Sequence, residues 1–220
     1  MFNTQKVKDA SLYERVFFDV GSNDGSTSVS IAQNDVNTVV FAFEPTPRLV
    51  NEVTAKTSHL RNYILIDKAV SDFTGKAKFN IAGNADWGCS SLLEFSDKSQ
   101  TEWIGRTDFK VTEEVEVDVI TLKDFIIENN IEKIDWIHID TQGSDLNVLK
   151  GLGDKIDIVM GGVMEAANKE DILYYGQNTK DECISFLNDN GFVITEVSSN
   201  DRFDNEINIC FARDVNYRWQ

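Results

Sequence analysis

The residues that could do chemistry in this chain gather at recurring places, each an acid that closes a run of apolar β-formers. Asp19 follows Val16-Phe17-Phe18 and opens the pattern DxGxNxG, with Gly21, Asn23 and Gly25 at alternate positions. Glu44 closes Val39-Val40-Phe41-Ala42-Phe43, Asp67 closes Tyr63-Ile64-Leu65-Ile66, Asp140 closes Asp135-Trp136-Ile137-His138-Ile139, and Glu165 closes a run from Ile156 to Met164. Glycines at 21 and 25 let backbone N–H groups approach a ligand closely. A dinucleotide loop reads GxGxxG, and here Asn23 stands where its second glycine would face a pyrophosphate; no GK[ST] phosphate loop occurs either. An acid beside such a turn suits a ligand with ammonium and carboxylate groups and no phosphates, although an ordinary βα turn would use the same glycines.

Glu44 lies nineteen residues after Gly25, followed by Pro45. In nucleotide-binding α/β units an acid at that distance, at the tip of the second strand, takes both ribose hydroxyls, because a carboxylate accepts two hydrogen bonds at once. Asp67 is placed to reach an adenine amino group, with the backbone of Lys68, Ala69 and Val70 along the base.

The elements that must position these groups alternate. A lead-in over residues 1–14, with Leu12 and Tyr13 packing on the domain, precedes the first strand. Ser26 or Thr27 caps the first helix, and Pro47 opens a second with Leu49, Val50 and Val53 on its buried side. Strict alternation over residues 76–81 and 115–119 predicts two half-exposed strands, antiparallel to each other or to a sheet edge. Between them, residues 83–110 form a long variable loop. Trp87, Cys89, Ser90 and Ser91 are candidates for a lid there, and a surface insertion anchored by one Trp fits equally. Thr121 and Asp124 read as a capping box, Leu146 and Leu149 mark a helix after the fourth strand, and a helix over residues 181–190 ends at Gly191. Two β-like runs, 192–197 and 207–212, close the chain. Alternating β and α elements predict one open, mostly parallel sheet over residues 1–220, with ligands beyond the carboxyl ends of its strands.

Composition narrows the partners. A net charge of −16 and a pI near 4.4 disfavour nucleic acid and anionic membrane, which both need clustered Lys and Arg. Cys89, Cys183 and Cys210 are widely spaced and lack a CxxC, so they predict free thiols and no zinc site. The polar N-terminus shows no apolar core of a secretory signal, and the expectation is a cytoplasmic protein.

Four blocks, FFDVGSNDG, FAFEP, AVSDFTGKAKF with CSSL further on, and TLKDF followed by IDWIHIDTQGSDLNVLKG, resemble the FkbM family of S-adenosylmethionine-dependent methyltransferases over residues 16–166. The resemblance implies a Rossmann-like class I methyltransferase fold of seven strands, the last antiparallel. It implies that Asp19, Gly21, Ser22, Asn23 and Gly25 hold the methionine part of the cofactor, that Glu44 and Pro45 flank the ribose, and that Asp67, Lys68 and Ala69 lie near the adenine. Asp140, Gln142 and Gly143 would face the transferring methyl. Three positions depart from the family's commoner wording: His138 stands for Lys, Asp145 for Glu and Ser22 for Ala.

For a hydroxyl acceptor a base must take a proton. Asp140 assisted by Gln142 is the candidate, while His138, two residues away on the same strand, reads more readily as structural. Asp140 and Glu165 together could also clamp a divalent cation such as magnesium. The expected activity is O-methylation of a small molecule or glycan. The competing readings are a nucleotide- or NAD-binding oxidoreductase and a binding protein that kept the fold without catalysis. Neither the acceptor nor the oligomeric state is legible in the sequence.

Overall fold

A computed structural model describes residues 10–83, 87–106 and 109–219. The first strand, β1 (Arg15–Val20), leads through the glycine loop into α1 (Ser26–Asn34), β2 (Thr38–Phe43), α2 (Pro47–Thr57) and β3 (Tyr63–Ile66). A side sheet follows from β4 (Ala69–Val70), β5 (Gly75–Ala82) and β6 (Val111–Ile120). The chain then returns through α3 (Leu122–Glu128), β7 (Trp136–Ile139), α4 (Asp145–Lys150), β8 (Gly161–Ala167), α5 (Lys180–Asp189), β9 (Val193–Ser199) and β10 (Glu206–Ala212).

The seven-stranded sheet runs β3-β2-β1-β7-β8-β10-β9. β10 is antiparallel to both neighbours, and the pairs among β3, β2, β1, β7 and β8 are parallel. This is the class I methyltransferase architecture. The order reverses between β1 and β7, which makes their carboxyl ends the natural ligand crevice. Every residue of β2 is buried, as a central strand covered on both faces requires. On one face Phe18, Phe41, Phe43 and Phe125 meet at centroid distances of 5.0 to 6.0 Å, mostly edge-on, a geometry that aromatic quadrupoles favour.

Register decides what stands together at the crevice. Val20 pairs with Phe43 and with Ile139, Phe43 with Ile66, and Ile139 with Met164. Gly21, Glu44, Asp67, Asp140 and Glu165 therefore come to one level. Asp19 does not: β1 continues through Val20, so Asp19 lies two residues deeper, level with Ala42 and His138. Glu165 is inside β8 rather than at its tip, opposite Asn208 of β10.

Several local expectations shift. Gly25, at φ +73°, occupies the N-cap of α1 with no side-chain cap, and the Asp24 carboxylate instead accepts from the Ser26 N–H at 2.9 Å. The strand expected over residues 156–164 begins only at Gly161, because residues 153–158 coil as a 3₁₀ turn. Gly162 packs closely on β7, where a Cβ would lie 2.3 Å from the Ile137 carbonyl oxygen. Thr121 caps α3 by accepting from the Asp124 N–H, but the Asp124 carboxylate takes the Thr74 hydroxyl at 2.6 Å, so the box stays half closed. A complete box occurs instead at Thr179 and Glu182 on α5, and Gly191 follows that helix at φ +77°. Tyr13 packs on the main core, whereas Leu12 is 75% exposed.

The strands β5 and β6 pair antiparallel with each other, and β4 adds to β6 in parallel. Of the segment 83–110, the described part returns to β5 through a bridge between Ser91 and Asn80. It then buries Trp103, whose indole N–H donates to the Ile172 carbonyl at 3.1 Å. Trp103, Phe109, Cys89, Ile172, Leu173 and Tyr174 make a second small core beside the crevice. The side chain of Trp87, one of the lid candidates, lies outside the described residues. No helix among the described residues is long and apolar enough to cross a membrane.

Candidate active site

At the carboxyl ends of β1, β2 and β7 lies a cleft of about 550 Å³, its mouth included. Its near wall is the glycine loop. Three residues of this loop have positive φ, Gly21 at +83°, Asn23 at +50° and Gly25 at +73°. Gly21 is a steric necessity, since a Cβ would meet the Asp140 carbonyl oxygen at 1.9 Å. The absent side chain lets the β1 and β7 loops touch backbone to backbone, which brings Asp140 over the loop.

Glu44 is the anchor of this wall. It is 5% exposed, its Oε2 accepts from the Asn23 N–H at 2.9 Å and its Oε1 from the Thr46 N–H at 2.8 Å. Burial raises its pKa to about 7; the donors at Thr46 and Asn23 pull it down, and the Asp19 charge adds to the rise. Asp19 is 1% exposed, with Oδ1 at 2.8 Å from His138 Nδ1 and Oδ2 buried without a hydrogen-bond partner. Burial opposes charge on His138, but the hydrogen bond and charge of Asp19, with the charges of Asp140 and Asp145, raise its pKa above the usual imidazole value. His138 is thus engaged in holding Asp19.

Of the residues singled out from sequence, Gly21, Asn23, Glu44, Pro45, Lys68, Ala69, Asp140 and Gln142 line the cleft. Asp19, Ser22 and Gly25 stand behind it. Ser22 is buried, and a Cβ on Gly25 would meet Tyr63 and Val29. Asp67 is exposed and does not line the cleft. Ser90 lines the cleft beside Leu92, while Ser91 lies just outside, its hydroxyl donating to the Gln142 carbonyl at 2.7 Å.

The far end is acidic. Gln142, held at φ +57°, donates from Nε2 to Asp140 Oδ1 at 2.6 Å. Asp145, at the start of α4, is 1% exposed, and its pKa rises to about 7 through burial and the charge of Asp140. Burial, then the charges of Asp140, Asp145 and Asp201, lift Glu206 to about 8, with Arg106 opposing. Glu165 is raised as well, chiefly by burial, and its carboxylate accepts from the Asn200 amide. Among the described residues no group of three or more His, Cys, Asp or Glu is arranged to hold a metal.

The sequence reading missed Thr46, Glu206 and Tyr174. Thr46 was accessible from its place two residues after Glu44. Nothing local marks Glu206, which reaches the site because β10 runs back beside β8. Tyr174 belongs to a loop over residues 172–178 whose cues were a Tyr-Tyr-Gly turn and the amides Gln177 and Asn178.

S-adenosylmethionine fits what is present. The buried Asp19 Oδ2 asks for a donor such as the cofactor's ammonium, and Glu44 keeps acceptor capacity beyond its two N–H partners for ribose hydroxyls.

Comparison with known proteins agrees with this architecture. The chain is 29% identical over 168 residues to 2-O-methyltransferase NoeI of Sinorhizobium fredii (strain NBRC 101917 / NGR234), a match that covers 74% of this chain and 66% of that protein. It therefore spans a little under two thirds of the length of that relative. Among solved structures, methyltransferase FkbM from Methylobacillus flagellatus KT superposes with a TM-score of 0.54 at 13% identity, covering 90% of this chain and 43% of that one. M. capricolum TrmK, solved with S-adenosyl-homocysteine, gives 0.51 at 11% identity over 97% of this chain and 70% of that one. At such identities these two share the fold. The methyltransferase FkbM domain profile matches residues 19–194, and with that extent of match the chain belongs to the FkbM methyltransferase family.

Proposed function

We propose that this protein transfers a methyl group from S-adenosylmethionine to a hydroxyl of a small molecule or glycan. The observation that carries the reading is the buried carboxylate of Glu44, with acceptor capacity left over, on the wall of a cleft whose other end is Asp140, with the unpartnered Asp19 Oδ2 buried behind that wall. The name 2-O-methyltransferase borne by the relative supports oxygen as the acceptor atom.

The bound cofactor supplies an electrophilic methyl group on a sulfonium. The chain's own residues do the rest. Asp19 takes the ammonium at Oδ2, Asn23 and Gly21 pass along the methionine part, and Glu44 with Pro45 takes the ribose. Lys68 and Ala69 flank the base. Asp140 accepts the proton of the acceptor hydroxyl, and the Gln142 amide holds that carboxylate in place. In-line displacement needs alignment above all, so the rigid placement of Gly21 against Asp140 is part of the catalytic arrangement.

The test has two arms. Calorimetry should show S-adenosylmethionine binding and no NAD binding, with affinity falling about tenfold or more in Glu44→Ala. Labelled methyl from the cofactor should appear on a hydroxyl across a panel of sugars, glycan digests and phenols. Binding without transfer on that whole panel would favour the non-catalytic alternative. Proton transfer to Asp140 needs no cation, so turnover should survive EDTA; its loss would bring in a divalent ion between Asp140 and Glu165.

A further inference from the structure

One fully buried hydroxyl lies a single side chain behind the candidate base and has no part in the mechanism above. Tyr174 is 0% exposed, and its ring stacks on Phe95 with centroids 5.0 Å apart and planes at 21°. Its phenol oxygen is 2.9 Å from Gln142 Oε1 and 2.8 Å from the Cys89 carbonyl oxygen. On its other edge the same Gln142 amide donates to Asp140 at 2.6 Å. The backbone beneath is held in place. The Ser91 hydroxyl bonds the Gln142 carbonyl, and a Cβ on Gly143 would lie 2.9 Å from the Tyr174 ring.

A phenol has one proton, so Tyr174 serves only one of its two acceptors at a time. If it donates to Gln142 Oε1, the amide must turn its N–H edge to Asp140, which favours the ionised carboxylate. If it donates to Cys89, the amide is free to turn its N–H edge to the phenol oxygen. Gln142 Oε1 then faces Asp140, a contact that is tolerable only when Asp140 carries a proton. Burial keeps the phenol itself protonated, holding its pKa well above the usual tyrosine value.

We propose that Tyr174 is a positioning residue of the methyl-transfer site, whose hydroxyl holds the Gln142 amide with its N–H edge toward Asp140 and so sets the proton affinity of that carboxylate. The proposal rests on the reading of Asp140 as proton acceptor. Other charges also act on Asp140: Asp145 from α4, Glu165 from β8, Glu206 from β10 with Arg106 beside it, and His138 from its own strand. These act whether or not Tyr174 is present, so the informative quantity is the difference between variants.

The experiment is a carbon-13 NMR titration of aspartate side-chain carboxyls in the ligand-free protein, with the Asp140 signal assigned by its loss in Asp140→Asn. Tyr174→Phe should raise the Asp140 midpoint by about half a pH unit, and Gln142→Leu by more, since each weakens a donor to the charged form. Phe95→Leu, which removes the stacking partner and leaves the hydrogen bonds, should titrate like wild type. A Tyr174→Phe midpoint equal to wild type, with Gln142→Leu shifted, overturns the proposal alone. If Gln142→Leu is also unshifted, the Asp140–Gln142 pairing of the proposed function fails with it. In wild type, the Gln142 amide nitrogen and the Tyr174 ring carbon that bears oxygen should both move at the Asp140 midpoint. This reading holds even if Tyr174→Phe does not fold, and signals that stay fixed through the midpoint overturn the proposal.

Discussion

The two ends of the cleft are built on different principles. The glycine-loop end comes from one stretch, residues 19–46, and works through backbone: positive φ at Gly21 and Asn23, and two main-chain N–H groups on one carboxylate. The Asp140 end draws on segments from residue 140 to residue 206 and works through side chains: the charge of Asp140 raises the proton affinity of Asp145, Glu165 and Glu206, and that of Asp145 raises the latter two further. The comparison teaches that the first end is rigid by sterics, whereas the second is set by electrostatics and will respond to pH.

The largest effect should come from Gly21→Ala. A Cβ 1.9 Å from a backbone oxygen, at φ +83°, leaves no flexible side chain to yield. We expect a loss of about 3 kcal/mol or more in denaturant unfolding together with loss of S-adenosylmethionine binding. Wild-type stability in this variant would erase the claim that sterics rule this end. Next, Asp140→Asn should lower kcat about 100- to 10,000-fold while cofactor affinity stays within about threefold. Equal losses in binding and turnover would merge the two ends into one.

A smaller effect separates the ends by pH. Because the Glu44 pKa stands at about 7, its carboxylate becomes a full charged acceptor only as the pH rises through that value. Cofactor affinity should therefore strengthen from pH 6 to pH 8, by up to about tenfold, with proton release on binding below pH 7. Glu44→Gln should bind more weakly and show a flatter profile in the same calorimetric titration.

The smallest effect is on stability. Glu206 has a folded pKa of about 8, above the ordinary 4.5, so its contribution is fully present below about pH 4.5 and is lost as the pH rises through 8. The wild-type Tm should fall between pH 6 and pH 9. Glu206→Gln should flatten that fall, with a gain at pH 9 of about 2–4 °C per kcal/mol recovered. A parallel pair of curves would remove Glu206 from the electrostatic end.

Much of the fold was legible because its signals are local. Continuous apolar runs marked β1, β2 and β3, and alternation marked β5 and β6, since both depend on side-chain period alone. The start of β8 was not, because the apolar residues Ile156 and Ile158 serve a 3₁₀ turn as well as they would a strand. The depth of Asp19 was misplaced by two residues because strand ends are set by ladder partners on both sides.

By itself the sequence determined the glycine loop, the acid nineteen residues on, the parallel order of the first strands and the family. Those features rest on backbone conformation and spacing within a few tens of residues. Only the tertiary structure decided that Tyr174 reaches Gln142, that Glu206 comes within range of the Asp140 charge and that His138 binds Asp19. The reason is that β10 inserts between β8 and β9, and the loop over residues 172–178 folds onto residues 140–146. These contacts join positions far apart in the chain, and no short-range pattern encodes them.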